Sequence, residues 1–101
     1  MEVRVADNPD AGRFELLADG EVAGSAYYRM EGEAIAFTHT EVDDAYEGHG
    51  LGAKLASAAL DQARSRGLAV LPYCPFIRGY IERHPEYRDL VPESERARFG
   101  L

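Results

Sequence analysis

The chain predicts an α+β fold, a mixed α/β sheet with helices packed on it, and three observations lead there. Residues 2–42 alternate apolar and polar side chains at period two between tight-turn dipeptides, as antiparallel strands do. Beyond the run Gly48-His49-Gly50-Leu51-Gly52 the apolar period becomes 3.6, that of an amphipathic helix. A short apolar run without alternation, Leu68 to Tyr73, then reads as a buried strand in a central or parallel position. Together they give an antiparallel meander continued by a βαβ crossover.

The elements follow in order. Glu2 to Ala6 is a short strand, and Asn8-Pro9-Asp10-Ala11-Gly12 is turn chemistry. Arg13 to Ala18 is a second strand, closed by the hairpin signal Asp19-Gly20. Its partner is Glu21 to Met30, on which Tyr27 and Tyr28 face opposite sides. Glu31-Gly32 turns the chain into Glu33 to Val42, where Ile35, Phe37 and His39 are expected on one face. In the long helix Leu51, Leu55, Ala56, Ala58, Ala59 and Ala63 form the apolar side; that many alanines predict close packing on a sheet. Gly67 is placed to cap its C-terminus. Pro75 suits a first helical position, Phe76, Ile77, Tyr80 and Ile81 form an apolar stripe, and Pro85 halts that helix near His84. The charge-rich tail from Val91 to Leu101 is expected to be one or two loosely attached helical turns.

Composition narrows the function classes. At 101 residues the chain is long enough for one domain with a single modest core, spanning 1–101. A net charge of -7 argues against a nucleic-acid partner, whose contact surfaces are basic, and suits one that attracts amines. The sequence has no apolar run long enough to span a bilayer, and Met1-Glu2-Val3-Arg4 lacks the layout of a signal peptide. One cysteine cannot form an internal disulfide, so a cytoplasmic location is expected. The spacing of His and Cys fits no metal site.

Glycines at positions 48, 50 and 52 leave backbone N–H groups open to an anion where a helix begins. A Walker A loop would need Gly-Lys-Ser or Gly-Lys-Thr, but Gly52 is followed by Ala53-Lys54-Leu55. A dinucleotide fingerprint needs a two-residue gap before its third glycine, and these glycines alternate. A strand-to-helix turn that needs glycine for geometry alone is the bland alternative.

Glu47-Gly48-His49-Gly50-Leu51-Gly52 resembles the acyl-CoA loop of the GCN5-related N-acetyltransferases. That loop runs Arg or Gln, two residues, Gly, one residue, Gly or Ala, at the head of a long helix; Glu47 replaces the usual first residue. The chain is similar above all to the small single-domain branch of that superfamily, of YjdJ type. The likeness lies in His39-Thr40-Glu41-Val42, the Ala-Leu-Asp-Gln-Ala-Arg helix, Cys74-Pro75-Phe76-Ile77 and Tyr80-Ile81-Glu82-Arg83-His84-Pro85-Glu86-Tyr87. It implies a minimal GNAT-like core using acetyl-CoA as co-substrate, without a metal. The pyrophosphate is then held by Gly48, His49, Gly50, Leu51 and Gly52, with Glu47 at the head of the loop and Lys54 adding a cation. The pantetheine arm runs between strands 33–42 and 68–73, pairing near Glu41 and Val42, with the thioester near Cys74.

The resemblance also gives Cys74 a role as acyl acceptor or thioester neighbour, and Tyr80 one as general acid, with Tyr87 a second candidate. The residues themselves leave alternatives open. Cys74 stands at a strand's end before a helix, where a thiolate is favoured, yet a lone cysteine also reads as a small buried hydrophobe. Direct transfer needs a base, and Glu41 and His39, two apart on one strand, can provide it or be ordinary sheet residues. Tyr80 also reads as a core aromatic, and Arg83-His84 suits adenosine phosphate if it lies near the loop.

The function expected is an acyl-CoA-dependent N-acyltransferase, moving acetyl to a primary amine such as a protein or peptide lysine. A non-catalytic acyl-CoA sensor or interaction module is the alternative. A hydrolase using Cys74 with His39 or His84 is a third.

Overall fold

Asp19 and Gly20 adopt φ of 49° and 84°, the left-handed pair whose twist matches a two-residue hairpin. In the computed structural model, which describes residues 1–46 and 48–101, they join β2 (Arg13–Ala18) to β3 (Glu21–Glu31). With β1 (Val3–Asn8), β4 (Ala34–Val42) and β5 (Ala69–Pro72) these form one five-stranded mixed sheet in the order β1-β2-β3-β4-β5. The first four strands are antiparallel, and β5 joins β4 in parallel at the sheet's edge.

The crossover between β4 and β5 is α1 (Leu51–Ser65), whose buried side is Leu51, Leu55, Ala56, Ala59, Leu60 and Ala63. Leu60 replaces the expected Ala58, which is half-buried. Phe14, Leu16, Ala26 and Phe37 meet this helix layer in one core. At about 25 cal/mol per Å² of apolar surface removed from water, such a layer dominates the stability of a chain this short. Pro75 opens α2 (Pro75–Arg83), which packs on α1, β4 and β5.

Three expectations are corrected. His39 does not share the face of Ile35 and Phe37. Tyr28 opposes Phe37 while Tyr27 opposes His39, so Thr38 is the extra residue of a β-bulge, and His39 turns to the other face. Phe76 leaves the apolar stripe of α2: it is 39% exposed, while Ile77, Tyr80 and Ile81 are buried. The tail is docked rather than loose. Val91 and Phe99 are buried, the Phe99 ring meets Tyr73 edge-on at 5.2 Å, and the Arg88 guanidinium donates to the Leu101 carbonyl at 2.8 Å.

Candidate functional site at the glycine loop and the β4–β5 fork

Gly48 and Gly50 have φ of 84° and 69°, and a Cβ on either would meet nothing within 4 Å. Conformation rather than space therefore selects glycine at both positions. Gly50 is the N-cap of α1 and offers no side-chain oxygen, so the N–H groups of Leu51, Gly52 and Ala53 open the helix without that cap. Gly52 is different: a Cβ there would lie 2.9 Å from Phe76 Cζ, so its bareness admits the Phe76 ring.

The loop borders a recess of about 310 Å³ whose lining includes Val42, Gly48, Gly50, Gly52, Phe76 and Arg83. Of the basic side chains considered from sequence, Arg83 reaches this recess; Lys54 and His49 are exposed outside its lining. Glu47 lies outside the described residues.

Beside the loop the sheet forks. The β4–β5 ladder runs from Ala34 opposite Ala69 to Phe37 opposite Pro72, and the Cys74 N–H then donates to the Phe37 carbonyl at 2.9 Å. Among the described residues, Thr38–Val42 pair with β3 alone, leaving the other edge of that segment open. An open edge of this kind accepts an extended chain through main-chain hydrogen bonds. Glu41 and Val42 lie on it.

Cys74 is 2% exposed and its Sγ donates to Thr40 Oγ1 at 3.3 Å. Thr40 escapes sequence reasoning because its partner is 34 residues away. Tyr80 is buried with its ring on His84, centroids 4.0 Å apart, and Nδ1 of His84 is buried without a partner among the described residues. Neither Cys74 nor Tyr80 lines the glycine-loop recess.

On the face opposite the helices the strand register assembles a polar array. Arg13, Tyr27 and His39 are lateral neighbours across β2, β3 and β4, and so are Glu15, Ser25 and Glu41. Tyr27 Oη donates to Glu41 Oε1 at 3.3 Å, and His39 Nε2 lies 3.3 Å from Glu41 Oε2. Both His39 and Glu41 stay more than half exposed. Arg13 pairs with Glu15 at 2.7 Å and donates to Tyr27 Oη at 3.0 Å. The Arg13 bond, with a second from Asn8, holds the Glu15 carboxyl below its ordinary range. Tyr87 is tied elsewhere: burial and then its 2.8 Å bond to Asp61 push its hydroxyl up to about 12.

Among the described residues no cluster of His, Cys, Asp and Glu could hold a metal ion, and no helix is long and apolar enough to cross a membrane.

The model of the GCN5-related N-acetyl-transferase family matches residues 13–90. Protein NATD1 of Mus musculus is 39% identical over 85 residues, covering 82% of this chain and 77% of that protein. Protein NATD1 of Xenopus tropicalis is 28% identical over a similar span, 82% and 78% of the two chains. A GCN5-like protein of Staphylococcus aureus, solved by NMR, superposes with a TM-score of 0.65 at 25% identity, covering 89% of this chain and 86% of that one. The chain belongs to the GCN5-related N-acetyltransferase family.

Proposed function

We propose that the protein transfers an acyl group, acetyl foremost, from acyl-CoA to a primary amine. One observation carries the reading: a glycine-led helix N-terminus and an open strand edge lie side by side where β4 and β5 diverge. The first suits pyrophosphate, through free N–H groups and the positive end of the helix dipole. The second suits the amide-bearing pantetheine arm, with Glu41 and Val42 as its main-chain partners. Arg83 supplies a cation at the recess.

Bound there, acyl-CoA supplies the activated thioester. The protein's part is to hold it, orient the amine and move protons. Glu41 takes the proton of the incoming ammonium, directly or through a water, and His39 relays it to solvent. Tyr27 fixes the Glu41 carboxylate for this task. Tyr80 donates the proton to the departing sulfur; Tyr87, bound to Asp61, is the weaker candidate. Cys74, buried with its thiol donating to Thr40, backs the fork rather than attacking. One free cysteine fits a cytoplasmic setting.

Thiol release from acetyl-CoA tests this. Release that requires butylamine, with kcat falling about 10²-fold or more in Glu41→Gln, is expected for base-assisted transfer. Thermal stabilisation by acetyl-CoA without turnover would instead make the protein a CoA-binding module.

A further inference from the structure

The fork between β4 and β5 is closed at its apex on one face. Past the ladder the Cys74 N–H joins the two arms once more, at the Phe37 carbonyl, and Cys74 is still extended, with φ of -68° and ψ of 122°, before Pro75 opens α2. The bulge at Thr38 turns His39 and Glu41 to the polar face, which puts Thr40 on the face that carries the helices. There Thr40 Oγ1 meets Cys74 Sγ at 3.3 Å, a contact that spans the fork from one arm to the other. Atoms at that separation touch, and no methylene passes between them.

The space behind this bridge is filled. Cys74 belongs to the core with Phe37, Leu55 and Ile77, each 0% exposed, and Ala26, opposite Thr40 on β3, is buried as completely. An interior packed to that extent takes extra methylenes only at the cost of strain. The polar face differs, since His39 and Glu41 are more than half exposed there. An acyl-CoA arm that enters at the glycine loop and pairs along Val42 and Glu41 brings its thioester to this apex. The rung from Cys74 to Phe37 stops the arm in the plane of the sheet. The bridge from Thr40 to Cys74 stops it toward the helices, so the acyl group is left on the side of Glu41.

We infer that Thr40 and Cys74 form a steric backstop that sets the length of the transferred acyl group, admitting acetyl and excluding butyryl and longer chains. The inference rests on the acyl-transfer reading above and makes Thr40, which has no other part in that reading, a residue that determines donor specificity.

Thiol release with butylamine as acceptor compares acetyl-CoA with butyryl-CoA on the full chain. Butyryl is expected to lower kcat/KM at least about tenfold, because even one extra methylene in a closed pocket has an effect of that size. Thr40→Ala and Cys74→Ala each remove atoms from the bridge, so each should narrow the gap, and the double variant should narrow it furthest. Where the double variant fails to fold, the two single variants decide. Thr40→Val keeps the volume without the hydroxyl and should keep the wild-type ratio. Equal kcat/KM for the two donors in the wild type, or a ratio that Thr40→Val shifts as far as Thr40→Ala does, would overturn the backstop and leave acyl transfer standing. Titration calorimetry decides the case without turnover. If neither donor reacts but butyryl-CoA binds at least about tenfold more weakly than acetyl-CoA, and Thr40→Ala narrows that gap, the backstop holds and the transfer reading is what fails. No turnover together with equal affinities, or with no binding, overturns both.

Discussion

Gly24 and Gly52 lack side chains because something else occupies the space, whereas Gly48 and Gly50 lack them because of φ. A Cβ on Gly24 would lie 2.8 Å from the Glu41 backbone carbonyl, which cannot turn aside. Gly24→Ala should therefore destabilise the fold by about 1–3 kcal/mol in urea denaturation. A Cβ on Gly52 meets the tip of Phe76, a half-exposed ring free to rotate. Gly52→Ala should change stability by less than about 1 kcal/mol while weakening acetyl-CoA binding, as titration calorimetry would show. Cys74→Ala should retain transfer, and intact-mass analysis of the wild type should find no acetyl adduct; an adduct lost in that variant would make Cys74 the acceptor. The glycine loop, Glu41 and Cys74 stand out in the sequence because local spacing or a strand end marks them, and Val42 only through the family resemblance. Thr40 and Tyr27 are not, since each matters only through a partner that the fold supplies.

The bulge at Thr38 is the device that builds the site from β4. It sends Phe37 into the core and His39 beside Glu41 on the polar face, just where β5 leaves the ladder. No period-two reading can foresee it, because one inserted residue reverses the alternation. Strand and helix identities fare better: Asp19-Gly20, Gly67 and Pro75 mark their boundaries by backbone chemistry that tertiary contacts do not override. The tail misleads because its charges outnumber its two buried apolar anchors, Val91 and Phe99. Phe99→Ala should cost about 3 kcal/mol in the same denaturation assay, and a cost near zero would restore the loose tail.

Across the whole molecule, charge sets the pH limits of the fold. The carboxyls of Glu15 and Asp89 are held below their ordinary range, chiefly by hydrogen bonds from Arg13 and Arg64. Their folded pKa values are depressed, so the stability they give is complete above the ordinary carboxylate range near pH 4 and is lost below it, as pH falls through the folded values. Tyr28 and Tyr87 are pushed up to about 12, mainly by burial and then by Asp7 and Asp61. Their folded pKa values are raised, so that contribution is complete below about pH 10 and lost as pH rises toward 12. Melting temperature against pH should fall on both sides, with the alkaline loss tracking tyrosinate absorbance. The sheet, its crossover and the family are legible in the order of periods and in the glycine loop; the polar array of Arg13, Tyr27, His39 and Glu41 is not, because it is assembled from three strands. CoA binding at the glycine loop and the open β4 edge is tested by an amide-resolved NMR titration of the full chain with CoA. Shifts concentrated in residues 48–53 and 38–42 are expected. Binding that leaves both segments unmoved, or no binding at millimolar CoA, would contradict it.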